Sequence, residues 1–220
     1  MPEVSVIMSV FNAEKTVGSA TRSVIEQEYK DIEFIICNDG SSDGSGAVIE
    51  EYSSLDYRIK VIKNETNQGL PKCLNRCIKL AKGKYIARQD ADDTSLSYRL
   101  KDQVDFLERN EKFSFVGSSC FLMDHNGTIW GFRGVKEQPT IEDLLKMNRF
   151  VHPSVILRSS FFEHVGLYDE NLLRSQDYEL WLRAYSTGIY GYNLRYPMII
   201  YREDGKDFQR KSFSAELKAV

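Results

Sequence analysis

The regular alternation of short apolar runs and helical patterns in the first half of the chain is the feature that most constrains its fold. Runs such as VSVIMSV and EFIIC have the length and the continuous apolar character of buried strands. Between them, apolar residues recur at intervals of three and four, as on one face of a helix. This order is typical of βαβ units, in which helices join parallel strands. It predicts strands at 4–10, 33–37, 58–63 and 84–88, and helices at 14–27, 46–52 and 70–81.

The second half of the chain is less regular. Its patterns predict helices at 98–110, 141–147 and 177–186, and strands at 113–118, 128–132, 154–157 and 197–201. A chain of 220 residues is long enough for one well-buried core and short for two full domains. We therefore expect a single α/β domain over residues 1–220, with a mostly parallel, Rossmann-like central sheet and a smaller mixed region.

Composition limits the partners and the location. The 29 basic and 32 acidic residues give a net charge of -3, so we expect no nucleic-acid partner. No apolar run approaches the roughly 18 residues of a membrane span, and the start lacks the pattern of a signal peptide. We expect a cytoplasmic protein. The cysteines lack metal-binding spacing, which predicts buried free thiols at Cys37, Cys73, Cys77 and Cys120.

Three aspartates, Asp90, Asp92 and Asp93, follow the predicted strand at 84–88. Ligands of open α/β sheets bind at the carboxyl ends of the strands. Residues two apart in an extended segment point the same way, so Asp90 and Asp92 can converge while Ala91 faces the other side. Crowded carboxylates repel one another unless a cation lies between them. A hard divalent ion such as Mg²⁺ or Mn²⁺, which prefers oxygen ligands and substrate phosphates, fits this pattern.

Other interpretations of the acidic residues remain open. Asp93 by itself is better explained as a helix cap or turn residue. Asp90, Asp92 and Thr94 match a D-x-D-x-T phosphohydrolase pattern with Asp90 as nucleophile, although that motif normally follows a first strand. The segment 39–50 resembles a calcium loop, but a strand rather than a helix leads into it, and we discount calcium.

Four segments in order resemble the family 2 glycosyltransferases, which are inverting enzymes with a GT-A fold. VSVIMSVFNAEKTVGSATRSVIEQEYKDIEFIICNDGSSDGS is similar to the nucleotide-binding start of that family, and KGKYIARQDADD to its metal-binding motif. HPSVILRSSFFEHVGLYDE resembles the acceptor-side segment, and SQDYELWLRA the helix that carries the catalytic base. The resemblance covers nearly the whole chain.

The resemblance implies a nucleotide-sugar donor, most often a UDP-sugar, bound with Mn²⁺ or Mg²⁺ by about the first 110 residues. Asp39 matches the aspartate that recognises uracil, Asp90 the aspartate on the ribose and metal side, and Asp92 the direct metal ligand. The implied donor pocket also includes Ser9, Phe11, Asn12 and Ala91.

About 111–220 would bind the acceptor, a saccharide or lipid-linked saccharide of cell-envelope polysaccharide synthesis, and such an enzyme can associate with the inner face of the membrane. Asp177 matches the general base; without a resemblance it would be a charge at a helix N-terminus. We expect Trp181 and Tyr185 to be core residues and His152 to be a structural hydrogen-bonding residue. A non-catalytic sugar-nucleotide-binding module remains an alternative.

The segment YREDGKDFQRKSFS, after the last predicted strand, lacks a histidine that many relatives place near the metal or diphosphate. Cationic side chains in this segment can substitute for the missing histidine. They can also form a solvated basic tail, and this is the better interpretation for any one of them taken alone. These side chains are Arg202, Lys206, Arg210 and Lys211.

Overall fold

The computed structural model describes residues 1–172 and 174–203, and within these ranges nine strands form one sheet covered by helices on both faces. The strands are β1 (Val4–Val10), β2 (Ile32–Asn38), β3 (Ile59–Lys63), β4 (Tyr85–Asp90), β5 (Thr94–Ser95), β6 (Phe115–Met123), β7 (Ile129–Arg133), β8 (Ile156–Arg158) and β9 (Gly191–Arg202). The helices are α1 (Val17–Ile25), α2 (Ser45–Leu55), α3 (Leu70–Leu80), α4 (Arg99–Arg109), α5 (Ile141–Leu144), α6 (Ser160–Val165) and α7 (Gln176–Ser186), with a short 3-10 helix at His152–Ser154.

The first four long strands form the predicted parallel half of the sheet, in the order β3-β2-β1-β4. Alternate residues of β1 face opposite sides of this sheet. Met8 packs in the core under α1, α2 and α4, whereas Ile7 packs under α3, α6 and α7. Because both faces are covered, β1 and β2 are predominantly apolar, as the sequence pattern indicated.

The second half of the chain extends the same sheet instead of forming a region beside it. β8 pairs antiparallel with β4 and β6, while β9 runs parallel to β6 and antiparallel to β5. The sheet is therefore mixed, and parallel pairing dominates only in its first half. β9 begins six residues before the predicted strand at 197–201, because Pro197 lies inside it, where the pairing with Ser119 shifts register.

Helix α7 is fixed by an aromatic contact with β6. Trp181 is fully buried and stacks on Phe115, with their ring centroids 4.6 Å apart. Asp177 lies one turn before Trp181 on the same side of the helix, so this contact also orients the start of α7. The predicted core positions of Trp181 and Tyr185 are confirmed, as are four buried free cysteines. No helix among the described residues has the length and apolar character needed to cross a membrane.

Candidate active site

An acidic cluster of Asp90, Asp92 and Asp93 lies where β4 ends. One carboxylate oxygen from each residue lies within 4.8 Å of the others. Asp90 is the last residue of β4, Asp92 is exposed in the turn that follows, and Asp93 is buried. The expected convergence of Asp90 and Asp92 is therefore present, and Asp93 joins them.

Asp93 does not cap a helix, so that half of the interpretation is wrong, but it does lie in a turn, where its backbone N–H donates to the carbonyl of Asp90 at 3.4 Å. The next helix begins at Arg99, and Oδ1 of Asp93 instead accepts a hydrogen bond of 2.8 Å from the backbone N–H of Arg202. Oδ2 of Asp93 is buried and has no hydrogen-bond partner within the described ranges. Burial, and then the charges of Asp90 and Asp92, raise the pKa of Asp93 well above its usual value.

Arg88 supplies the positive charge nearest to this cluster. Its side chain is 1% exposed, and Nη2 forms an ion pair of 2.5 Å with Oδ1 of Asp90. Nη1 donates to the carbonyl of Gln89, and Nε has no hydrogen-bond partner among the residues described. Burial alone would lower the pKa of Arg88, but the charge and hydrogen bond of Asp90, together with the charges of Tyr168 and Asp93, outweigh it and raise the pKa. Arg88 therefore stays charged beneath the acidic cluster.

Buried polar side chains hold the turn that carries the aspartates. The Nε2 atom of Gln89 donates to the carbonyls of Asp90 and Asp93, both at 3.0 Å. Oε1 of Gln89 accepts from Ser95 at 2.6 Å and from the buried guanidinium of Arg99 at 3.2 Å. These bonds fix the backbone of the turn independently of the carboxylates, which remain available to a ligand.

The donor set of the cluster fits a hard divalent cation. Three carboxylates supply the oxygen ligands that Mg²⁺ and Mn²⁺ prefer. Asp93 offers a buried oxygen without a partner among the described residues, and its pKa is raised by burial and then by the charges of Asp90 and Asp92, which a cation would offset. The pKa of Asp92 is raised for the same reasons, namely reduced hydration and the charge of Asp90.

Arg202 lies beside the cluster and is not a solvated tail residue, so the simpler interpretation of this position is wrong. Its Nε donates to the carbonyl of Asp92 at 3.2 Å. Nη1 donates to the carbonyls of Asp124 at 3.0 Å and His125 at 3.3 Å, in the turn between β6 and β7. Arg202 thus ties the acidic turn to this hairpin. The other proposed cations, Lys206, Arg210 and Lys211, lie outside the described residues.

Asp39 follows β2 at the same edge of the sheet and is 1% exposed. Its Oδ1 accepts hydrogen bonds from Asn64 Nδ2 at 2.6 Å and Gln68 N at 2.8 Å, and Oδ2 accepts from Gly69 N at 2.9 Å. Burial opposes ionisation, but these bonds outweigh it and lower the pKa of Asp39. Asp39 therefore organises the loop 64–69, and its contact with uracil stays a prediction.

The other residues of the predicted donor pocket lie at the ends of β1 and β4. Ser9 is the register neighbour of both Cys37 and Asp90, Ala91 is half-buried, and the Phe11 side chain is 48% exposed. Asn12 has a φ of 49°. Its Oδ1 accepts from Ser42 N at 2.9 Å, and its N–H donates to Ser41 Oγ at 3.1 Å, so the loops after β1 and β2 are tied together. A cavity of about 440 Å³ adjoins the loop 64–69.

Asp177 lies in the first turn of α7 and is half-buried. Asn148 donates from Nδ2 to Oδ2 of Asp177 over 2.7 Å. Burial raises the pKa of Asp177 although the bond from Asn148 and the charge of Arg88 act in the opposite direction. A carboxylate with a raised pKa accepts a proton more readily than an ordinary aspartate does.

Asp90 and Asp177, which are 87 positions apart in the sequence, line one cleft of about 740 Å³. Arg88 and His152 also contribute to its wall. His152 Nε2 lies 2.8 Å from the Tyr168 hydroxyl, which confirms its expected structural hydrogen bond. Burial, and then the charge of Arg88, lower the pKa of His152 well below its usual value, so this ring is neutral at physiological pH.

Two residues of the site were missed from the sequence. Arg88 had a recognisable signal, since a charged residue within a buried strand and two positions before an aspartate requires a counter-ion. Asn148 had no such signal in the sequence, because it lies in an irregular segment. Its contact with Asp177, 29 positions later, depends on the tertiary structure.

The fold defines the class of protein. The chain superposes on a crystal structure of TarS residues 1–349 from S. aureus in complex with UDP-GlcNAc with a TM-score of 0.76 at 21% identity, covering 97% of this chain and 62% of that one. This likeness confirms the expected α/β fold of GT-A glycosyltransferases.

Sequence comparisons identify the family. The model of "Glycosyl transferase family 2" matches residues 5–165. EpsE of Bacillus subtilis is 37% identical over 219 residues, which are 97% of this chain and 77% of that protein. The Escherichia coli "UDP-Glc:alpha-D-GlcNAc-diphosphoundecaprenol beta-1,3-glucosyltransferase WfaP" is 31% identical over 202 residues, 92% of this chain and 78% of that protein. The chain belongs to glycosyl transferase family 2, and the expectation of a glycosyltransferase rather than a phosphohydrolase is confirmed.

In metal-free buffer at neutral pH, Asp93→Asn should be at least as heat-stable as the unchanged protein. A raised folded pKa means that the contribution of Asp93 to stability is fully present below its unfolded pKa of about 3.9 and is lost as the pH rises through the folded pKa. Each kcal/mol of relieved repulsion should raise Tm by about 2–4 °C.

Calorimetry in a chelator at several pH values measures this effect, with the exposed Asp92→Asn as a comparison. The Tm gain of Asp93→Asn should shrink as the pH falls towards about 4. An equal loss of Tm at every pH would show instead that the Asp93 carboxylate is stabilised by a partner.

Proposed function

We propose that this protein is an inverting, metal-dependent enzyme that transfers a sugar from a UDP-sugar to a saccharide or lipid-linked saccharide in cell-envelope polysaccharide synthesis. One observation carries the proposal: the acidic cluster at the end of β4 and the carboxylate of Asp177 share a cleft through Asp90. The names of WfaP and the TarS complex, which specify a UDP-sugar donor or ligand, support the choice of nucleotide.

The first half of the chain, about 1–110, would bind the donor. Asp39 would accept a hydrogen bond from the N–H of uracil with a free lone pair, while its existing bonds keep the carboxylate ionised and fixed. The remaining donor contacts would come from the ends of β1 and β4, at Ser9, Phe11, Asn12, Asp90 and Ala91.

Asp92 and Asp90 would hold Mn²⁺ or Mg²⁺, with Asp93 as a further oxygen ligand. When bound, the ion would supply positive charge to the diphosphate of the donor as it leaves. Arg88 would keep Asp90 ionised and oriented through their ion pair, so that this carboxylate can act on the donor side without rotating away.

Asp177 would act as the general base on the acceptor side, within the half formed by about 111–220. It would take the proton from an acceptor hydroxyl as that oxygen bonds to the anomeric carbon and the bond from this carbon to the diphosphate breaks. Asp177 and Asp90 line the same cleft, and attack by the hydroxyl opposite the leaving diphosphate would invert the configuration. Asn148 would orient the carboxylate.

Peripheral association with the inner face of a membrane would bring the enzyme to a lipid-linked acceptor. Three large apolar side chains of β7 are exposed: Ile129 at 52%, Trp130 at 43% and Phe132 at 54%. The chain runs from β7 directly into the cleft wall at Arg133. Apolar and aromatic side chains of this kind bind at the headgroup boundary of a bilayer, and nearby cations favour anionic lipids.

Binding of UDP should strengthen when Mn²⁺ is added, and Asp92→Asn should abolish that enhancement, since it removes one negative ligand of the ion. Titration calorimetry with UDP, with and without Mn²⁺, measures both effects. Asp124→Asn, a carboxylate outside the cluster, is the matched control and should behave as the unchanged protein. Equal UDP affinity with and without metal would contradict the metal site.

Asp177→Asn should lower the rate of sugar transfer by about 10²–10⁴-fold or more, because no other base replaces the carboxylate. UDP binding should remain unchanged, which separates loss of the base from loss of the fold. Assays of UDP-sugar turnover and donor hydrolysis measure these effects. An unchanged protein that binds UDP with metal but never turns over a donor would favour the non-catalytic binding module.

Asn148→Ala gives a second test of the same role. Loss of its hydrogen bond removes a contact that favours the ionised carboxylate, so the pKa of Asp177 should rise further. The acid limb of the profile of kcat/KM against pH should therefore move to higher pH. An unmoved limb would show that Asp177 is not the titrating base.

Vesicles containing anionic lipid should cosediment with the protein, and the double variant Ile129→Ser/Phe132→Ser should bind them several-fold less because it removes exposed apolar area. Leu55→Ser is the matched control, since Leu55 is 78% exposed at the end of α2. This helix packs on β2 and β3, which are separated from β7 by several strands of the sheet. Equal vesicle binding by both variants would contradict membrane docking through β7.

A further inference from the structure

One wall of the cleft is rich in cations that the donor chemistry does not use. It is formed by two segments, 133–136, which begins at the last residue of β7, and 146–149, which follows α5. The cationic side chains on this wall are Arg133, Lys136, Lys146 and Arg149. We refer to these four residues as the cationic wall.

Ion pairs neutralise only part of the cationic wall. Arg133 pairs with the buried carboxylate of Glu203, and Lys136 Nζ lies 2.6 Å from Asp143. Arg149 donates from Nε to the carbonyl of Asp143 at 3.3 Å, and its Nη2 reaches the carboxylate of the same residue at 4.0 Å, the limit of an ion pair. Lys146 is exposed and has no carboxylate within 4.0 Å in the described part of the chain. Lys146 and the Nη atoms of Arg149 are therefore the cationic groups of the wall that carboxylates neutralise least.

These two cations lie close to the proposed base. Asn148, which donates to Asp177, is two residues from Lys146 and adjacent to Arg149. At about 3.8 Å between consecutive Cα atoms, both backbones lie within roughly 8 Å of the residue that holds the base. An acceptor hydroxyl at Asp177 therefore places the rest of the same sugar ring within reach of Lys146 and Arg149.

The donor diphosphate is not the natural ligand of this wall. Its proposed place is at the acidic cluster, where a divalent ion supplies the positive charge. The hydroxyl that attacks and the diphosphate that leaves are on opposite sides of the anomeric carbon. An anion on the base side of the reaction must therefore belong to the acceptor.

We propose that Lys146 and Arg149 bind a phosphate or diphosphate attached to the anomeric oxygen of the acceptor sugar. The inference rests on the proposed transferase function, because it uses Asp177 to locate the acceptor hydroxyl. One pyranose ring then separates that hydroxyl from the anomeric phosphate. Arginine binds phosphate oxygens through a planar pair of N–H groups and lysine through a compact charge, so the two residues together suit a diphosphate.

Such a site makes the enzyme selective for an activated acceptor. A neutral glycoside would leave both cations without a partner, whereas a sugar diphosphate would bind them through charge-assisted hydrogen bonds. The lipid or other group beyond the diphosphate would leave the cleft past Lys146, which is on the exposed rim.

The test compares two acceptors that differ only in the anion. One is GlcNAc α-linked to a short alkyl diphosphate, and the other is GlcNAc α-linked to the same alkyl chain. The unchanged protein should show kcat/KM about tenfold to a hundredfold higher for the diphosphate. Lys146→Ala should remove most of that advantage through KM while leaving transfer to the neutral glycoside and UDP affinity unchanged.

Lys101→Ala is the matched control, because Lys101 is an exposed lysine on α4, which packs on the other face of the sheet. It should retain the full preference for the diphosphate acceptor. Arg149→Lys should keep part of the preference, since it retains the charge and loses the planar pair of donors. Equal losses on both acceptors in Lys146→Ala, or weakened UDP binding, would overturn the proposal.

A binding measurement separates this inference from the proposed function. In a chelator, where the acidic cluster has no cation to attract phosphate, an alkyl diphosphate should still bind, and Lys146→Ala should weaken it about tenfold. Absence of this metal-independent binding would overturn the anion site. Binding that depends on Lys146 in a protein without transfer activity would instead count against the transferase.

Discussion

The ion pair between Arg88 and Asp90 is the interaction on which the site depends. Placing three carboxylates at the end of one buried strand costs free energy, and a single guanidinium, itself almost fully buried, offsets only part of that cost. The remaining negative charge gives the cluster its capacity for a cation. The same guanidinium favours the neutral form of His152 and the ionised form of Asp177. One buried charge therefore influences the protonation of both sides of the cleft.

The sheet positions the acidic residues and Asp177 in two different ways. Parallel pairing brings the ends of β1, β2 and β4 to one edge, so Asn12, Asp39 and Asp90 lie at neighbouring strand ends. Asp177 is positioned differently, on a helix held against β6 by the stacking of Trp181 on Phe115. One face of α7, which includes Trp181, packs in the core, while Asp177 in its first turn lines the cleft.

Sequence reasoning succeeded where periodicity is strong and failed where contacts are long-range. The βαβ order, the buried thiols and the convergence of Asp90 with Asp92 follow from local patterns in the chain. The burial of Asp93 does not, because its hydrogen bond comes from Arg202, 109 residues later. The extent of β9 was hidden by Pro197, which normally ends a strand but is accommodated here by a shift in pairing. Family resemblance, rather than spacing, selected Asp177 from several aspartates at helix starts.

The late position of β9 has a consequence for how the protein is made. β9 inserts between β6 and β5, and its last residue holds both the Asp93 side chain and the Asp92 carbonyl. During synthesis from the N-terminus, the four-strand parallel half can assemble while the ribosome is still extending the chain. The bonds from Arg202 to the Asp93 side chain and the Asp92 carbonyl can form only after residue 202 has emerged and β9 has paired. A nascent chain therefore passes through a stage in which the parallel half of the sheet can be formed while the acidic turn still lacks its contacts with β9.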